Sequence, residues 1–148
     1  MRTMSLLLAG LLWSGHATAQ AAEENCPELP AGVALDWDVA HGPDFVFCKA
    51  ISRDDGSQAF SVMIGPEPVF RADRSLRDES AVIDGHRVRW YRGDVATRRD
   101  VHVRETLVEL GRRSNAHIVV RAGSEERLAH NRQLAEALRF RATAVGGD

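Results

Sequence analysis

The residues whose types and spacing could do chemistry are Glu105, Glu109, His117 and Arg121. They lie in two runs of alternating apolar and polar residues, 101–110 and 116–121, joined by residues 111–115. A period of two puts these four residues on one sheet face. Thr106, Val108, Leu110, Ala116, Ile118 and Val120 fall on the other. With Gly111 paired to Asn115, Glu109 faces His117, Leu107 faces Val119 and Glu105 faces Arg121. A carboxylate to accept a proton, an imidazole to return one and a guanidinium to hold developing charge are groups that cleave phosphodiesters. The same four residues also make ordinary cross-strand pairs, each stabilising by under about 1 kcal/mol.

The trio resembles the carboxylate, histidine and arginine that small secreted bacterial ribonucleases present on an antiparallel sheet. In those enzymes the helix precedes the sheet, whereas the best helical segment here comes last. No Gly-x-Ser-x-Gly, His-Glu-x-x-His, glycine-rich phosphate loop or Cys-x-x-Cys is present. His41, His86, His102, His117 and His130 have no partner at i,i+2 or i,i+4, so no metal site is read and no cofactor is expected.

A second group of residues has the composition of a binding surface. Residues 23–67 hold nine acidic side chains against Lys49 and Arg53, while residues 68–148 hold sixteen arginines against twelve acidic residues. Either the two halves neutralise each other across one sheet, or Arg87, Arg89, Arg92, Arg98, Arg99 and Arg104 line a surface for an anionic partner. Most of the aromatic residues Trp37, Phe45, Phe47, Phe60, Trp90 and Tyr91 are assigned to the core. Tyr91, on the arginine side of its strand, and Phe70, leading into a polar loop, are the candidate interface anchors. The formal net charge of −2 argues against nucleic acid.

Residues 1–19 have the form of a cleaved signal peptide: Arg2, an apolar run over 4–13, and Ala17-Thr18-Ala19 as the cleavage site. That run is far short of the ~20 residues that span a bilayer, and no second one approaches it. The expected location is therefore the periplasm or the extracellular medium. Cys26 and Cys48 are the only cysteines and would join in that oxidising compartment. Glu23, Glu24 and Asn25 precede Cys26 where a lipoprotein has small apolar residues, so no lipid anchor is expected. The absence of an Asn-x-Ser/Thr sequon, and Lys49 as the sole lysine, fit a bacterial source.

The elements that must position these residues follow from turns and periodicity. Residues 33–40 alternate, 41–44 turn, 45–51 read as a central strand and 58–64 return after Asp54-Asp55-Gly56-Ser57. Pairing Ala40 with Phe45 sets Trp37 opposite Cys48. A short helix is expected within 71–80, then Val82 and Ile83, a turn at Asp84-Gly85 and a strand over 86–92. Ser124 caps a helix running to about residue 139, whose stripe of Leu128, Leu134, Ala135 and Leu138 covers the apolar sheet face.

The expected fold is one α+β domain at 33–140, after a lead-in at 20–32 and before a flexible tail at 141–148. It holds six or seven mostly antiparallel strands with a C-terminal helix on one face. This layout resembles the architecture of Mog1/PsbP-like domains, with no residue assigned a role from that likeness. A small lipocalin-like barrel with a flanking helix is the alternative fold. The leading functional expectation is a non-enzymatic binding or inhibitor module for another periplasmic or secreted protein. The alternatives are a carrier of a small apolar ligand and a secreted phosphodiester hydrolase.

Overall fold

A computed structural model of the chain describes residues 25–66, 70–93 and 100–140. The expected signal peptide, the tail at 141–148, Arg98 and Arg99 lie outside the described residues. Seven strands run β1 Leu35–His41, β2 Val46–Ser52, β3 Gln58–Gly65, β4 Arg77–Ile83, β5 His86–Arg92, β6 His102–Gly111 and β7 Ser114–Ala122, followed by helix α1, Glu125–Glu136. All neighbours are antiparallel, in the order β1-β2-β3-β7-β6-β5-β4. The sheet is open, with β1 and β4 as its edges, so the alternative of a closed barrel is not formed.

The helix covers one face, and burial follows the alternation of most strands, whereas in β3 the consecutive residues Ala59, Phe60, Ser61 and Val62 are all buried. Cys48, Ala50, Phe60, Val62, Val108, Ala116, Ile118 and Val120 are buried there with Ile83 and Trp90. Leu128, Ala135 and Leu138 meet them from the helix and its end. Ser124 caps α1 with its Oγ accepting from the Arg127 amide at 3.2 Å. Glu125 and Glu126 sit where the helix dipole favours negative charge. The helix ends at Glu136, short of residue 139, because the Arg139 backbone pairs with Glu28 in an isolated antiparallel bridge.

That bridge ties the lead-in to the domain. Cys26 is bonded to Cys48, both buried, and the Trp37 indole N–H donates to the Pro27 carbonyl at 2.9 Å. Trp37 also packs edge-on against Phe60, with ring centres 5.9 Å apart.

Several registers differ from the sequence expectation. In the first hairpin Ala40 pairs with Phe47, so Cys48 lies opposite Val39 and Trp37 opposite Ala50. The turn takes up Gly42 to Phe45, closed by the Gly42 amide on the Phe45 carbonyl at 2.9 Å. The Phe45 ring folds over Gly42, where a Cβ would sit 2.1 Å from it, and Phe45 is exposed rather than part of the core. Within 71–80 there is only a 3-10 turn at Arg74–Leu76, capped by Asp73, before the chain straightens into β4. Two hydrogen bonds, from the Ser75 amide and hydroxyl at 2.8 Å each, stop that turn from propagating. The β4–β5 turn has Asp84 at φ 46° and Gly85 at φ 81°, the positive pair that a two-residue hairpin demands.

Polar groups on the helix side are mostly paired. Trp90 Nε1–H donates to Glu136 Oε1 at 2.8 Å, Arg132 reaches Glu79 at 2.7 Å, and Arg104 bonds Asp78. The Thr106 hydroxyl donates to the Arg89 carbonyl at 2.8 Å. Among the described residues no helix is long and apolar enough to cross a membrane.

Candidate functional site

The sheet face opposite α1 gathers the residues whose types could do chemistry. The β6–β7 hairpin closes more tightly than expected, with Gly111 paired to Ser114 and a bulge beside Glu109. This keeps every side chain on its expected face but shifts its partner. Glu109 lies opposite Asn115, Leu107 opposite His117, Glu105 opposite Val119 and Val103 opposite Arg121. His117 is therefore diagonal to two glutamates, and it bonds Glu105, with Nε2 and Oε2 2.9 Å apart.

Both side chains of that pair are largely buried, at 14% and 24% exposure. The cover is aromatic. The Phe70 ring stacks on the His117 ring at 5.5 Å and 18°, and leans on Tyr91 at 5.1 Å and 56°. Tyr91 sits beside Glu105 across the β5–β6 ladder. Bonding to the carboxylate fixes the imidazole tautomer and ring plane, and that plane seats Phe70. Acid and base flanking a phosphorus atom must stand apart. Here the carboxylate and imidazole are bound to each other beneath a ring, while Arg121 is exposed and makes no ion pair among the described residues.

From this cluster a groove of about 400 Å³ runs towards β5, lined by Phe70, Tyr91, Leu107, Glu109, Arg87 and Arg89. A second hollow of about 590 Å³ adjoins it across β5, where Ser80 and Val82 lie opposite Arg89 and Arg87. Four of the eight residues expected to bind, Phe70, Arg87, Arg89 and Tyr91, thus come together, with Glu109 beside them. Arg92 does not join them. It lies opposite Arg104 on the helix side and donates to the Ser75 carbonyl at 3.5 Å. Arg104 faces that side too and is taken by Asp78, so the sheet's alternation removes both from the binding face.

Ion pairs of the first half form largely within it among the described residues. Asp36 pairs with Arg53 at 3.1 Å and Asp38 with Lys49 at 2.5 Å, all within the first half. The pair Asp55–Arg127, at 3.4 Å, joins the halves. Arg87 has no ion-pair partner among the described residues, and Arg89 Nη1 reaches across to the Asp78 carbonyl at 3.4 Å. Strand order sets the acidic strand β1 at one edge and the arginines of β5 next to the other.

Sequence reasoning missed Ser80 and Val82. Folding 77–83 back on 86–92 about Asp84-Gly85 would have set Val82 beside Arg87. It also missed a polar groove of about 800 Å³ between the β2–β3 turn and α1, lined by Asp55, Arg127, His130 and Asn131. Asn131 is 7% exposed. The Ser57 hydroxyl, then the Ser57 amide, the Ser52 hydroxyl and Arg127 hold the Asp55 carboxyl well below the usual carboxylate range. Among the described residues no cluster of His, Cys, Asp and Glu has the makings of a metal site. No protein-family model, curated protein or solved structure matches this chain.

Proposed function

We propose that this is an exported, non-enzymatic binding protein that captures another protein through the sheet face opposite α1. The observation that carries the reading is the Phe70–Tyr91 pair, with Phe70 stacked on His117, flanked by Arg87 and Arg89, which make no ion pair among the described residues. Aromatic side chains and arginine are the residues that dominate protein interfaces, because they bury large areas at modest entropic cost. Export rests on the signal-peptide pattern at 1–19 and on a buried disulfide, which persists in oxidising compartments. The chain released after Ala19 works in the periplasm or outside the cell.

A photo-crosslinking phenylalanine analogue placed at Tyr91 tests this reading, with the same analogue at Ala40, on the exposed β1 edge, as control. One defined protein is expected to join the Tyr91 probe and not the Ala40 probe. The purified pair is expected to form a stoichiometric complex that charge reversal at Arg87 and Arg89 abolishes. Equal labelling at both positions, or a complex indifferent to that reversal, would remove this face from the function.

A further inference from the structure

We infer that the partner supplies an extended strand with carboxylates at alternate positions, and that this strand adds to the outer edge of β4. The inference rests on the proposed binding face and specifies how that face is used. β4 is a terminal strand whose ladder is with β5, so alternate backbone groups point away from the sheet. Among the described residues no backbone group outside β5 pairs with Ser80–Ile83. The bulge between Arg77 and Ser80 limits the regular edge to that short stretch.

The side chains along this edge select what adds to it. Facing away from the helix, the regular stretch of β4 presents Ser80 and Val82, with Arg77 opposite Tyr91 beyond the bulge, and Val82 is 58% exposed. Behind them on β5 stand Arg89 and Arg87, two residues apart and on the same face. An added strand would lie about 9.6 Å from β5, two strand spacings away. A guanidinium and a glutamate carboxylate together span that distance over a small serine or valine. Arg89 already reaches onto β4, donating to the Asp78 carbonyl.

Arginines at i and i+2 on a strand match carboxylates at i and i+2 on its neighbour, since both share the period of two. A second copy of β4 would instead bring Arg87 and Arg89 against their own kind, which opposes an isologous edge-to-edge dimer. The β1 edge of another copy carries Asp36 and Asp38 at the matching spacing, but Arg53 and Lys49 already engage them. The occupant is therefore a different protein. Val82, level with Arg87, offers it an apolar contact beside that charge pair.

The probe is a short fluorescein-labelled peptide alternating threonine and glutamate, titrated into the purified domain and followed by polarisation. Binding is expected, and it should weaken on N-methylation of the amides along one edge of the peptide but not the other. Arg87→Glu with Arg89→Glu is expected to weaken it by about tenfold or more and to confer binding of the matching threonine–lysine peptide. That gain shows the variant is folded without relying on a loss. Indifference to N-methylation on both edges would overturn strand addition while leaving a charge contact at this face. Failure of the peptide to bind, with the Tyr91 probe still capturing a partner, would also overturn strand addition but spare the binding face. Failure of both would remove the face and the strand together. Concentration-dependent self-association lost on Asp36→Asn with Asp38→Asn would replace the partner with a second copy.

Discussion

Reducing the Cys26–Cys48 bond should lower the stability of the whole domain, not of the lead-in alone. The bond closes a loop with a sequence separation of 22, containing all of β1 and the start of β2. Fixing that closure in the unfolded chain removes entropy worth about 3.4 kcal/mol at 25 °C in the loop-closure model. Both sulfurs are buried and stay so as thiols, which fit the same space, so the native packing changes little on reduction. The effect then falls on the unfolded state. At an unfolding entropy of about 2.1 cal/mol/K per residue over the described domain, the loss corresponds to about 12–15 °C in Tm.

The assay is urea unfolding of oxidised and fully reduced protein, followed by tryptophan fluorescence and far-UV circular dichroism. Trp37 contacts the lead-in directly, whereas Trp90 lies on β5 at the other side of the sheet. Both should report one transition, moved to lower urea, with a steeper slope because the reduced chain unfolds to a more expanded state. A loss below about 1 kcal/mol would refute the reasoning. So would a split in which Trp37 responds first and Trp90 keeps its oxidised midpoint, since the lead-in would then be an ornament on an independent sheet.

Other outcomes follow from single contacts. Trp90→Phe removes the indole N–H that Glu136 accepts within a buried wall, and should cost about 1–3 kcal/mol by urea unfolding. Gly85→Ala forces a side chain into φ 81° and should destabilise by about 1 kcal/mol, whereas the same change at Gly111, with open space around it, should not. Asp55→Asn should destabilise at neutral pH. The folded pKa of Asp55 is depressed, so the difference from wild type is fully present above its ordinary value of 3.8 and fades as pH falls below it. Wild-type and His117→Ala protein should leave RNA equally intact, and hydrolysis abolished by the substitution would make the Glu105–His117 pair catalytic.

Strand identity was legible because each face met a different medium. In 86–92, Val88 and Trp90 had to face a core while Arg87, Arg89 and Tyr91 did not, and β5 has those bounds and that division. Registers were less legible, because turn length is governed by local hydrogen bonds that a pattern of apolar residues does not encode. Both misjudged hairpins slipped by two residues, which preserves the face of every side chain. That is why Glu105, Glu109, His117 and Arg121 still share a surface although each has a different opposite neighbour. The stacking of Phe70 on His117 was not legible at all, since it joins a loop residue to a strand far along the chain. Asn131 interrupts the apolar stripe of α1 and was passed over for that reason.

Strand order has a consequence for how the chain acquires its shape. Five of the six neighbour relations join consecutive strands, so β1–β3 and β4–β7 can each assemble as a meander from nearby residues. Only the β3–β7 seam demands a distant encounter, pairing Phe60 with Val120 and Ile64 with Ala116. Until it closes, each half offers an unpaired central strand of apolar residues, the state most open to misassembly. The helix that covers the seam is the last element made, and it touches β3, β4, β6 and β7. A chain crossing a membrane in the extended state, as the proposed export requires, would complete its core only after α1 has crossed. Deletions at the C-terminal end of the domain should then prevent folding altogether, rather than trim an edge.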